Sequence, residues 1–113
     1  MSVKNSMAYI PMTSINSSTF TGAYQVINTN GTTSPCFAFK IVNNSTVDVT
    51  VSINGTTDHD YIITKTAQIY DLQTNKQPQN DACLLAKGTK VYVKGSAGTG
   101  SIYLIGLTQL EGQ

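Results

Sequence analysis

Residues 47–53 alternate without a break: Val47, Val49, Val51 and Ile53 are apolar, while Asp48, Thr50 and Ser52 are polar. A period of two sets one group of side chains on a single face of an extended strand, whereas helical spacing would scatter them round a cylinder. The segment therefore predicts a strand with all four apolar residues directed into a core. The same logic predicts a strand over 36–42, with Phe37, Phe39 and Ile41 inward and Lys40 outward. It predicts another over 89–94 with Val91 and Val93 inward, and one beginning near Phe20 in which Tyr24, Val26 and Asn28 share a face. The run Ile102, Tyr103, Leu104 and Ile105, continued by Leu107, is apolar on both faces and predicts a central strand covered on both sides. Residues 61–72 predict two short strands broken around Thr64-Lys65-Thr66.

Turn-forming residues separate these runs. Asn30-Gly31 and Asn54-Gly55 tolerate the positive φ that a type I′ turn requires at both central positions, and Lys87-Gly88 marks a further turn. Asn43-Asn44-Ser45-Thr46 is expected to close a hairpin, and the glycine-rich stretch 95–100 to do the same for the last two strands. Short strands at this spacing, with no room for a helix of normal length, predict an all-β chain: a single antiparallel β-sandwich or jelly-roll-like domain of about seven or eight strands. Residues 1–18 stand apart from the sandwich proper, 19–113. Within them Met7, Tyr9, Ile10, Pro11 and Met12 are apolar without clean alternation and give way to the polar stretch 13–18, and Pro11 is disfavoured inside a central strand. Two readings remain open for them: an edge strand, or an extended arm that laps onto a neighbouring subunit by strand addition. Met7, Tyr9, Ile10 and Met12 are the candidate subunit contacts.

Composition sharpens the picture in one respect. Of 113 residues only 12% are charged, about half the usual share, and Thr, Ser and Asn fill the gap. A chain this long buries roughly 65% of its unfolded surface and needs no staples, so the low charge points to a surface made to touch protein. A net charge of +1, seven scattered lysines and no arginine provide no footprint for nucleic acid or an anionic membrane. No apolar run approaches the ~20 residues of a membrane helix. The N-terminal stretch has no continuous apolar core of a secretory signal, so synthesis in a cytoplasm is expected. In that setting Cys36 and Cys83 are expected to be buried free thiols rather than a disulfide. The sequons at Asn16, Asn30, Asn43, Asn44 and Asn54 then follow from composition alone.

Candidate chemistry is sparse. Thr57-Asp58-His59-Asp60-Tyr61 is the one cluster of reactive side chains. Two carboxylates fall short of the roughly six to eight oxygens a calcium ion requires. The residues are better explained as a polar loop whose Asp and His bond to nearby turn groups. A single histidine rules out sites built on several, and a cysteine nucleophile would need His59 as its base. The glycines at 95–100 lack the Gly-Lys-Ser/Thr ending and the following helix of a phosphate loop. Six tyrosines offer flat faces with polar tips that suit a sugar or a subunit interface, without the tryptophan common in sugar platforms. The expectation is a binding protein, not an enzyme, with no cofactor and no metal.

Three stretches carry a resemblance: 41–55 (Ile41 through Asn54-Gly55), Thr57-Asp58-His59-Asp60-Tyr61, and 87–103 with Val91-Tyr92-Val93 and Gly98-Thr99-Gly100. Over residues 36–107 the chain resembles small β-sandwich virion structural proteins of tailed bacteriophages. The resemblance implies a structural part of the virion, present as a homo-oligomer or as repeated copies on a lattice, and bound to capsid or other virion proteins. A capsid decoration (cement) protein is one form of this, and a neck or tail component that holds fibres is another. The polar insert 73–81 departs from the pattern and is a candidate for particle-specific contacts.

Overall fold

The computed structural model describes residues 5–71 and 86–111. They form nine strands: β1 (Asn5–Tyr9), β2 (Thr13–Asn16), β3 (Gln25–Val26), β4 (Cys36–Ser45), β5 (Val49–Ser52), β6 (Asp60–Ile62), β7 (Thr66–Asp71), β8 (Tyr92–Lys94) and β9 (Gly100–Glu111). One 3₁₀ turn, Ser17–Thr19, follows β2, the Ser18 amide donating to the Asn16 side chain at 2.9 Å. The strands make two antiparallel sheets. The five-stranded sheet runs β1-β9-β4-β7, with β2 also paired to β9, and the four-stranded sheet runs β3-β8-β5-β6. The β-sandwich expected from the alternation is thus the fold.

Inward side chains of both sheets meet in one core: Phe39, Ile41, Ile102 and Leu104 from the five-stranded sheet, and Val49, Val51, Ile62 and Val93 from the other. Phe20, Ile27 and Val91 complete it from flanking segments. Burial of this apolar area, at about 25 cal/mol per Å², is the main force joining the layers. Polar residues lock the seam. Asn43 is fully buried and donates its amide to the carbonyls of Val47 (2.9 Å) and Ile62 (3.1 Å). Its Oδ1 accepts from the Ser45 hydroxyl at 2.6 Å, so the group is satisfied on both sides.

Several local expectations are corrected. Ile53 is 37% exposed, because β5 ends at Ser52, whose hydroxyl turns back to accept from the amide of Gly55. The Ile53 amide goes to His59 Nδ1 at 2.9 Å instead of continuing the ladder. Phe37 is only half-buried: a register shift between Cys36 and Ala38 makes it the extra residue of a bulge. Ile27, not Val26, takes the core position after β3. Residues 43–46 and 95–100 are not hairpins. Each connects a strand of one sheet to a strand of the other, β4 to β5 and β8 to β9. In both Asn-Gly pairs only the glycine has positive φ, so neither turn is type I′.

Other expectations are realised. The break between β6 and β7 falls at Lys65, which has φ 61°. Pro11 lies between β1 and β2, both paired to β9. Cys36 is a buried free thiol, raised above its ordinary pKa by burial. Cys83 and the insert 73–81 lie outside the described residues.

Candidate subunit interface

Strand β9 is central in its sheet, with β4 on one side and β1 and β2 on the other. Its inward residues Ile102 and Leu104 are buried, but Tyr103, Ile105 and Leu107 point the opposite way and are only half-buried. The apolar run was expected to be covered on both sides. Among the described residues a second sheet covers one side alone.

Register shows what lies beside them, since directly opposed residues in an antiparallel pair share a face. Tyr9, Leu107 and Ala38 form one row across β1, β9 and β4. Ile105, Lys40 and Ile69 form the next across β9, β4 and β7. Tyr103, Val42 and Ala67 form a third. Lys40 carries a charge in the middle row, its aliphatic stem among apolar neighbours in the manner of a snorkelling lysine, and Asp71 of β7 stands opposite Ala38 at the end of the first row. Tyr9 is 69% exposed and Ile69 66%. Between the first two rows lies a shallow apolar depression of about 150 Å³ lined by Tyr9, Lys40, Ile69, Ile105 and Leu107. A continuous apolar sheet face of this kind is the surface expected to be covered by another protein.

Of the four residues singled out in the sequence, Tyr9 belongs to this face. Ile10 turns inward, buried in its own domain, where its amide donates to the Gly106 carbonyl at 3.0 Å. Met12 is 59% exposed in the link between β1 and β2. Met7 pairs with Gln109 in β1, and its side chain lies outside the described residues. Ile69, Ile105, Leu107 and Val42 were not singled out. The doubly apolar pattern of 102–107 was the signal that held two of them.

The reactive-looking cluster is dispersed. Asp58 binds Lys94 at 3.0 Å and accepts from the Tyr24 hydroxyl, and the tyrosine and then the lysine hold its carboxyl below the usual range. Lys94 also lies 4.5 Å over the Tyr24 ring. His59 accepts a backbone amide, and Asp60 accepts from Tyr70 across the sheets. The His59 bond is the local turn contact expected, whereas Asp58 and Asp60 make longer-range structural bonds to other strands and segments. A groove of about 450 Å³ on the four-stranded sheet is lined in part by Thr50, Asp48, Tyr61 and Lys94. There the Asp48 carboxylate accepts from the Tyr61 hydroxyl (2.7 Å) and the Thr64 amide (2.8 Å), and both bonds lower its pKa.

No family model and no curated protein sequence matches the chain. Among solved structures it is similar to a subunit of Bacillus endospore appendages, described as a family of disulfide-linked pili. The TM-score is 0.51 at 11% identity, covering 96% of this chain and 88% of that one. The SPP1 Dit protein, described as a paradigm of the hub adsorption apparatus in phages that infect Gram-positive bacteria, gives a TM-score of 0.40 at 12% identity. That match covers 92% of this chain and 49% of the other. At these identities the pilus subunit bears on the fold alone.

Proposed function

We propose that the chain is a structural protein of a tailed-phage virion that binds other virion subunits through the outer face of its five-stranded sheet. The observation that carries the proposal is that face itself: three largely apolar rows across four strands, with Lys40 in the middle row, Asp71 at the β7 end of the first, and no layer over them among the described residues. The low charged fraction and the sequence resemblance over 36–107 support the same reading. Its chemistry is binding, not catalysis: burial of Tyr9, Ile105, Leu107 and Ile69 contributes affinity, and repeated copies multiply it by avidity. Within this reading the favoured form is a capsid decoration protein that reinforces the shell, with a neck or tail component as the alternative.

Cryo-electron microscopy of the particle that carries the chain tests both levels. Density on the capsid lattice with the β1-β9-β4 face against shell protein is the expected result. A single ring at the neck or tail replaces decoration by the alternative, and absence from the particle overturns the proposal.

A second reading, a glycan-binding module on the virion surface, has the Asp48–Tyr61 groove in its favour. The Tyr61 ring is 59% exposed beside a carboxylate already oriented by two donors, an arrangement that suits a sugar ring. A glycan array with no signal for the oligomerised protein removes this reading.

A further inference from the structure

Strand β7 is the last strand of the five-stranded sheet on the side of β4, and its far edge pairs with no strand among the described residues. An open edge presents a row of unused N–H and C=O groups, and proteins blunt such edges with lysine, proline, bulges or brevity. Among the described residues those devices are missing from β7. The strand is six residues long, Thr-Ala-Gln-Ile-Tyr-Asp, without lysine or proline. It pairs one-to-one with β4 from Asn43↔Thr66 to Ala38↔Asp71, so it contains no bulge. Residues 66–69 are all exposed, Ile69 by 66%. The edges of the other sheet that are unpaired among the described residues are guarded by brevity: β3 has two residues and β6 three.

We infer that this edge pairs with the β7 edge of a second copy of the chain, antiparallel about a two-fold axis at Gln68, to make one continuous sheet. The inference rests on the reading of the chain as an assembling subunit. A two-fold axis normal to the sheet keeps the outer face outer, so paired residues must have the same parity, because a one-residue slip exchanges the faces. Centring on Gln68 then places Ile69 against Ala67 of the second copy, twice by symmetry, on the outer face. Gln68 meets Gln68 on the inner side, where two amides can exchange hydrogen bonds, and Thr66 meets Tyr70. Residues 66–70 carry no charge, so the strand does not repel its own copy. Centring one position later would instead set Ala67 against Asp71. Because the five opposed positions bury little area, the pairing is weak in solution and is strengthened when copies are held on a lattice.

Cysteine cross-linking tests both the partner and the register, in the full-length protein with Cys83→Ser and with Cys36 buried. At a two-fold axis the Gln68 Cα atoms lie about 4.5–5.5 Å apart, within disulfide reach. Ile69 and its copy are diagonal neighbours at roughly 7–8 Å, out of easy reach. Gln68→Cys is expected to give a disulfide-linked dimer under mild oxidation, Ile69→Cys to stay largely monomeric, and Ala67→Lys to suppress the Gln68→Cys cross-link. Circular dichroism confirms that each exposed-site variant is folded. Cross-linking of Ile69→Cys in preference, or of neither variant, overturns the inference. If neither links while the protein still enters particles, the edge pairing fails and the particle role stands.

Discussion

The side-chain amide of Asn43, in the five-stranded sheet, donates to the carbonyl of Ile62 in the four-stranded sheet at 3.1 Å. With its second bond to the Val47 carbonyl, it clamps the two layers where the chain crosses from β4 to β5. Removing it takes the side-chain donor from the buried Ile62 carbonyl and breaks the bond to Ser45, whose hydroxyl keeps only the Val47 carbonyl at 3.0 Å. Asn43→Ala is expected to cost about 2–4 kcal/mol of stability, measured as a lowered urea midpoint with unchanged slope. A loss below about 1 kcal/mol would show that the clamp is not structural.

Gly106 allows β9 to pass under the link between β1 and β2. A Cβ placed there would lie 2.8 Å from Ile10 Cδ1 and 3.0 Å from Cys36 Sγ. Gly106→Ala should destabilise by about 1–3 kcal/mol through overpacking. Ile10→Val should recover part of that loss in the double variant, a coupling that thermal unfolding of the four proteins in the cycle measures.

The Tyr70 ring stacks on Phe39 at 4.5 Å between centroids, and its hydroxyl donates to Asp60. Burial first, and the Asp60 bond second, hold its pKa well above 10.0. The folded state therefore resists ionisation more than the unfolded chain does. The stabilisation is present in full below the unfolded value and is lost as pH rises beyond it. The melting temperature is expected to fall above about pH 10, and Tyr70→Phe to make that fall shallower. An equal slope in both proteins would remove Tyr70 as a contributor. Tyr24 and Tyr61, raised first by their bonds to Asp58 and Asp48, add to the same alkaline limb.

The core was legible because period-two alternation is a direct record of which side chains face inward: Val49, Val51, Phe39, Ile41, Val93 and Ile102 lie where the pattern put them. Connectivity was less so. Asn43-Asn44-Ser45-Thr46 has the composition of a hairpin turn, yet local turn chemistry carries no record of which sheet the next strand joins. Phe37 and Ile53 failed for a related reason, since a bulge and a strand end each depend on the partner strand rather than on the residue's own neighbours. The candidate interface was half-visible. Ile105 and Leu107 stood out as a second apolar face, but Ile69 and Val42 join it only through the β4-β7 and β4-β9 registers.

The central claim is that the outer face of the five-stranded sheet binds virion protein, and affinity for particles produced without the chain measures it directly. The wild-type protein is expected to bind them saturably. Tyr9→Lys with Ile105→Lys should weaken binding by about tenfold or more, the scale of losing an interface hot spot, while the melting temperature stays near that of the wild type. Binding of the folded double variant at wild-type affinity would contradict the account.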